Sequence, residues 1–392
     1  MKKYISKLIS VVLAVMMLVG CITGCGKDKG SDSAASGFRV AVVCSGSGQN
    51  DNGYNASACQ KIEEISEELG CDYKIIEPVN GVPEALETLG GDGYDLVFSL
   101  EYDFDALIKG VGGADPIAAQ YPDTTYVVFN DDPNRDESGN VIHDNVISVL
   151  FDVNESSYLA GYTSVLVNEN IDKLFKDGYK LTPLSESKGI GFVGGTNSNG
   201  ILVYSAAFIE GANAAAKEYD TTYNYYAKYD AGFTDSALGS TVAETFYKEG
   251  VNIVFADAGV VGDGITAKAK ELGKLAIQTD ANLDDQQPGH VLTSVLKITG
   301  VPVEAITRAY ADGTIKDLDR LQRYNLKTGA TEITDMSVIG EYVEDEAVWA
   351  EILEKVENVR TQIINGEIKI TNKQIGEDFD PATCPNIVIK TE

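Results

Sequence analysis

The residues best suited to chemistry fall in seven short segments: residues 45–55 (SGSGQNDNGYN), Asn130 to Asp132, GGTNSNG from Gly194, AGFTD from Ala231, ADAGVVGDG from Ala256, TDANLDD from Thr279, and Lys297. Each follows an apolar run, so each falls where a strand should end. Glycines there let backbone approach a ligand closely, and a helix starting after such a turn offers unpaired N–H groups. One glycine-rich turn is common in any α/β protein; the convergence of seven on one edge points to non-covalent binding of a small polar molecule. Covalent and cofactor chemistry find little support. GSGQND after the first apolar run carries Gly46 and Gly48 but not the third glycine of a dinucleotide fingerprint, and no GxxxxGK[ST] loop occurs. The two histidines are His143, in an acidic loop, and His290, which opens a strand after Gly289; no Ser or Cys pairs with either as a nucleophile with its base. Both read as surface residues, and no enzyme activity, cofactor or metal is expected.

Those segments need a scaffold that ends many strands on one side. From Phe38 onward, short apolar runs alternate with longer amphipathic stretches, the pattern of a parallel sheet flanked by helices. RVAVVCS, YKIIE, YDLVFSL, TTYVVFN and NVISVLFD read as strands. NASACQKIEEISEELG, VPEALETLG, FDALIKGVGGADPIAAQ and SSYLAGYTSVLVNEN read as helices. The pattern restarts at KGIGFVGGT and runs through LVYSAAFIEGANAAAKEY, TTYNYYAKYD, SALGSTVAETFYKEG, VNIVFAD, GDGITAKAKELG and KLAIQTD, giving a second lobe of the same class. GHVLTSVLK, VEAITRAYADG and a late helix carrying Trp349 follow. The expected fold is α/β, two doubly wound parallel-sheet lobes with a hinge and a cleft at the carboxyl ends of their strands. The expected division is 38–152 plus about 294–324 for the N-terminal lobe and 153–293 plus about 325–390 for the C-terminal lobe.

The chain of 392 residues carries 31 Lys and Arg against 60 Asp and Glu, a formal charge of -29, which would repel nucleic acid and anionic lipid over most of the surface. Its first residues have the form of an export signal: Lys2, Lys3 and Lys7, the apolar run LISVVLAVMMLVG, then small residues before a cysteine. The run is short for a spanning helix, and the polar GKDKGSDSAASG follows it as a flexible linker. Residues 1–25 therefore resemble a bacterial lipoprotein signal peptide and 26–37 a linker, with Cys25 in ITGC as the lipidated residue and Cys21 in LVGC as the alternative. Either leaves the protein lipid-anchored on the outer face of the cytoplasmic membrane. Cys44, Cys59, Cys71 and Cys384 show no zinc spacing and read as buried free thiols, with a disulfide as the other option.

From about Arg39 to Tyr310 the chain resembles the basic membrane protein family of extracytoplasmic lipoproteins, the purine-nucleoside-binding components of ABC importers. The blocks that carry the resemblance are VAVVCSGSGQNDNGYNAS, YPDTTYVVFND, SSYLAGYTSVLV, KGIGFVGGT, AGFTD, NIVFADAGVVGDG, AIQTDAN and VLTSVLK, all in the family's order. The resemblance implies a type I periplasmic-binding-protein fold, a purine nucleoside or similar small molecule as ligand, an ABC permease as partner, and a monomer. It implies that Tyr54 and Phe233, one from each lobe, sandwich the base, and that Asn55 meets the base edge with a donor and an acceptor. Asp280 would hold the ribose hydroxyls, Lys297 would donate to the remaining sugar oxygens, and Gly259 and Gly262 would bring backbone N–H groups to the sugar. For Asp280 and Lys297 the competing reading is a mutual ion pair at the hinge. Two departures stand out: Ser45 and Asn130 replace aspartates usual in the family, which could retune the cleft. A sugar or autoinducer binder, or a sensor or adhesin of the same fold, are the alternatives.

Overall fold

The computed structural model describes residues 37–51 and 53–390; the expected signal peptide, Cys21, Cys25 and most of the linker lie outside them. Short runs of Val, Ile, Leu and Phe form central strands buried on both faces, as parallel sheets covered by helices require. The first lobe orders β1 (Arg39–Val43), β2 (Asp72–Ile76), β3 (Leu96–Ser99), β4 (Thr125–Phe129), β5 (Val146–Phe151) and the late β11 (Leu321–Tyr324) as β11-β5-β4-β3-β1-β2, all parallel. The second lobe repeats the plan. There β6 (Gly189–Gly194), β7 (Tyr223–Lys228), β8 (Val251–Asp257), β9 (Leu275–Asp280), β10 (Val291–Lys297), β12 (Thr331–Ile333) and β13 (Ile387–Lys390) lie in the order β12-β10-β9-β8-β6-β7-β13. Only the β10–β12 pair is antiparallel.

In each sheet the strand order reverses at the first strand of the lobe, so the loops after β1 and β3, and after β6 and β8, splay apart and leave a crevice at their carboxyl ends. The helices that matter to the site are α1 (Tyr54–Leu69), α2 (Val82–Gly91), α3 (Val153–Asn168), α4 (Asn199–Glu218), α5 (Ser236–Lys248), α6 (Val260–Leu272) and α7 (Gly300–Ala311). α3 and α4 cross closely because both are glycine where they touch: a Cβ on Gly161 would strike the Phe208 carbonyl, and one on Gly211 the Tyr158 carbonyl.

The chain crosses between the sheets three times: from β5 into α3, from β10 to α7, and from β11 to β12. The second crossing falls after Lys297, because VLTSVLK is the fifth strand of the second sheet to its end. FDALIKGVGGADPIAAQ is not one helix. Two four-residue turns, Asp105–Ile108 and Ile117–Gln120, flank a loop in which Gly110, Gly112 and Gly113 all take left-handed φ. Beyond Gly313, where the sequence was uninformative, the chain supplies edge strands to both sheets.

Candidate functional site

A cleft of about 1890 Å³ lies between the lobes, lined by Ser45, Tyr54, Asn130, Phe233, Gly259, Asp280 and Lys297 of the nine expected residues. Its first-lobe wall begins with the loop between β1 and α1. Asn55, fully buried, locks that loop: its Oδ1 accepts from the Ser45 N–H (2.8 Å), and its Nδ2 donates to Ser45 Oγ (2.8 Å) and to the Asp51 carboxylate (2.9 Å). Both amide hydrogens are thereby used, so Asn55 does not meet a base edge. It shapes the loop instead, and it does not line the cleft. Asp51 also accepts from the backbone N–H groups of Gly53, Asn55 and Ala56, so the α1 N-terminus is neutralised from within the chain.

Tyr54 projects from the start of α1, and its hydroxyl donates to the Leu100 carbonyl (3.0 Å) while accepting from Asn130 Nδ2 (2.6 Å). The Asn130 backbone sits at φ 67, the left-handed region an asparagine tolerates, and its Oδ1 is buried without a partner among the described residues. The Lys297 ammonium lies 5.1 Å from the centre of the Tyr54 ring and 5.7 Å from that of Phe151.

The second-lobe wall carries Phe233, 40% exposed, in the loop after β7. The ring rests on Gly195, where a Cβ would collide with its edge atoms, and the Phe233 carbonyl accepts from the Val260 N–H (2.9 Å). Gly259, at φ 54, turns the chain there so that α6 can begin; a Cβ on it would come within 3.0 Å of the Phe233 carbonyl oxygen. Gly262 departs from expectation. It is buried, its N–H is bonded to the Gly259 carbonyl (2.8 Å), and it packs against Gln278, so it brings no N–H group to the cleft.

The ends of β8, β9 and β10 place Asp257, Asp280 and Lys297 side by side at the cleft floor. No side-chain hydrogen bond is made by any of the three among the described residues, and no carboxylate lies within 4.0 Å of the Lys297 ammonium, which excludes a direct hinge ion pair with Asp280. Burial raises the Asp280 pKa, and Lys297 opposes it. Burial and then the Asp280 charge raise Asp257 well above the ordinary carboxylate range, while Lys297 pulls it down. Burial lowers Lys297, with Asp280 and Asp257 opposing. Three ionisable groups without hydrogen-bond partners in one crevice cost stability unless a ligand supplies their partners.

Two residues in this cleft were missed. Asp257 falls inside ADAGVVGDG, where its position as the last residue of a strand was the available signal. Tyr204, on α4, was hidden by an alanine-rich helix that reads as core. The histidines stand apart and half-buried: a ring nitrogen of His143 bonds to the Ile108 carbonyl, and one of His290 to the Lys274 carbonyl (2.8 Å each). All four described cysteines are free and buried, with the Cys44 and Cys59 sulfurs 3.6 Å apart. Among the described residues no cluster suited to a metal ion occurs.

Two doubly wound lobes around a cleft of polar groups define the periplasmic-binding-protein fold. The chain belongs to the family of PnrA-like ABC transporter substrate-binding proteins, whose model matches residues 38–374, well beyond the Tyr310 limit read from sequence. It is 27% identical over 355 residues to basic membrane protein A2 of Borrelia garinii subsp. bavariensis, covering 89% of this chain and 94% of the relative. It is 24% identical over 359 residues to the ABC transporter nucleoside-binding protein BmpA of Lactococcus lactis subsp. cremoris, covering 86% and 90%. A solute-binding protein of an ABC transporter system from Aeropyrum pernix K1 shares the fold at a TM-score of 0.68 and 22% identity, over 86% of this chain and 93% of that one. The family is one of transport binding proteins, not enzymes. That membership implies a small-molecule ligand, an ABC permease as partner and a place outside the cytoplasm. No described helix is long and apolar enough to cross a membrane.

Proposed function

We propose that this chain is an extracytoplasmic lipoprotein that closes its lobes on a purine nucleoside and delivers it to an ABC permease, anchored through Cys25 or Cys21 and acting as a monomer. One observation carries the reading: a single cleft joins an exposed aromatic ring, Phe233, with a carboxylate and an ammonium, Asp280 and Lys297, that make no side-chain hydrogen bond or ion pair among the described residues. A flat base meets the first and a ribose the second. The base stacks on Phe233, with Tyr54 closing from the other lobe. Asn130, through its free Oδ1, accepts from the base edge in place of the buried Asn55. Asp280 takes ribose hydroxyl donors, Lys297 donates to sugar oxygens, and Gly259 and Ser45 complete the walls. The name of the Lactococcus relative supports a nucleoside as the solute. The commitment of Asn55 to its own loop leaves fewer contacts for a base and favours a sugar as the second reading.

Thermal unfolding of the chain from Gly26, against nucleosides, free bases, pentoses and hexoses, tests this. A ligand at 100 times its dissociation constant adds about 2.7 kcal/mol to the folded state. The expected result is a raised midpoint with inosine, guanosine or adenosine that Phe233→Ala abolishes. A shift with hexoses alone would replace the nucleoside by a sugar.

A further inference from the structure

We propose that Asp257 and Tyr204 form a second hydroxyl-binding subsite on the cleft floor, so that the ligand's sugar is held by two carboxylates, Asp280 and Asp257, and not by one. This rests on the small-molecule reading of the cleft and specifies which groups meet the sugar.

Asp257 is 5% exposed and Tyr204 2% exposed, and both line the cleft. Asp257 Oδ2 and the Tyr204 hydroxyl are each buried with no partner among the described residues. Other tyrosine hydroxyls of this lobe are bonded. Tyr225 and Tyr229 share the Ser205 hydroxyl (2.6 and 2.7 Å), Tyr223 bonds Glu169 (2.7 Å), and Tyr247 bonds the Leu275 carbonyl (2.9 Å). Packing explains the Tyr204 ring, which meets Phe255 edge-on with centroids 6.3 Å apart, but a phenylalanine would pack as well. The hydroxyl is the part that packing leaves over.

The same reasoning applies to Asp257. It ends β8, the strand between β6 and β9, where an alanine or serine would complete the strand without burying an acid. A carboxyl there has one use that a smaller residue lacks, which is to accept from a donor that arrives with the ligand. Whether ionised or protonated, it keeps an acceptor oxygen for a hydroxyl. Tyr204 can then donate to that hydroxyl's oxygen or accept from a neighbouring one.

Charge restricts what the ligand presents. Among the described residues one ammonium, Lys297, faces two carboxylates at this floor, and Asp51 adds to the negative field at Asp280. Groups rich in donors, such as hydroxyls, fit; a phosphate brings acceptors and negative charge and is disfavoured.

The test is calorimetric titration of wild type, Asp257→Ala and Tyr204→Phe with inosine, with 2′-, 3′- and 5′-deoxyinosine, and with ribose and a hexose panel, beside thermal unfolding without ligand. The subsite predicts that each variant unliganded is at least as stable as wild type, since each loses an uncompensated buried polar group, and binds the parent ligand about tenfold or more weakly. It also predicts that one deoxy analogue, lacking the hydroxyl concerned, binds wild type and Asp257→Ala equally. Wild-type affinity in both variants, or a clear fall in unliganded stability, would overturn it. Wild-type protein that ignores nucleosides but binds a sugar sinks the nucleoside reading alone, and the variants are then compared on that sugar. A chain that binds neither class overturns both.

Discussion

Tyr54 and Asn130 have to be read together. The Tyr54 hydroxyl gives its proton to the Leu100 carbonyl, so the neighbouring group must donate, and the amide of Asn130 does. An aspartate at 130 would set a carboxylate against an oxygen whose proton is committed elsewhere. Asn130→Asp should therefore cost about 1–3 kcal/mol in urea unfolding at pH 7, and the double variant Tyr54→Phe/Asn130→Asp should recover much of it. Equal stability of the single variant and wild type would break this account of the asparagine. Phe233 differs, being exposed: Phe233→Ala should leave unliganded stability nearly unchanged and weaken nucleoside binding about tenfold or more, the measure of one lost stacking partner. Types such as Phe233, Asp280 and Lys297 were legible in the sequence because aromatic and charged residues stood at strand ends. The loss of Asn55 and Gly262 from the site was not legible. Whether an amide or an N–H is already spent depends on partners elsewhere in the chain, here Ser45 and Asp51 for the first and the Gly259 carbonyl for the second.

At the scale of elements, hydrogen bonds tie both ends of the loop between β1 and α1 to the start of α1. Asp51 gathers the first N–H groups around α1, Asn55 ties Ser45 back to it, and Thr299 Oγ1 donates to the Tyr54 carbonyl (2.6 Å) from the crossing after β10. Removing the central tie should be costly: Asn55→Ala is expected to destabilise the protein by about 2–3 kcal/mol, read by chemical denaturation, and to reduce ligand binding through a loosened Tyr54. A stability within about 0.5 kcal/mol of wild type would show that the loop holds without it. The alternation of strand and helix was plain from apolar periodicity over nearly the whole chain. It failed at residues 104–120, where three left-handed glycines and a proline overrule an apolar pattern, and at the short strands β11, β12 and β13, too brief for periodicity to register.

For the whole molecule, the crossings between lobes are where the two sheets are tied together. Glu155, in the first turn of α3, accepts from the Leu326 N–H (2.9 Å) on the crossing from β11 to β12, while Asp152 pairs with Arg323 and accepts from Asn372 (3.0 Å). Burial first, and then the Asp152 charge, push Glu155 up to about 6 from 4.5, against the pull of the Leu326 N–H. Because the folded value lies above the unfolded one, the ionised form is a penalty that is full above about pH 6 and vanishes below about 4.5. Glu155→Gln should thus be more stable than wild type at pH 7 by about 1 kcal/mol, discounted for partial exposure, and equal to it near pH 4. A gain that persists unchanged at pH 4 would point to packing and not to charge.

The central claim is that the cleft takes a purine nucleoside between its lobes, and calorimetric titration of the chain from Gly26 with inosine, guanosine and adenosine tests it most directly. The account predicts one site per chain, a negative heat-capacity change as the aromatic surfaces close on the base, and loss of the signal in Phe233→Ala. Absence of heat with all three, from folded protein that binds a sugar in the same cleft, would contradict it.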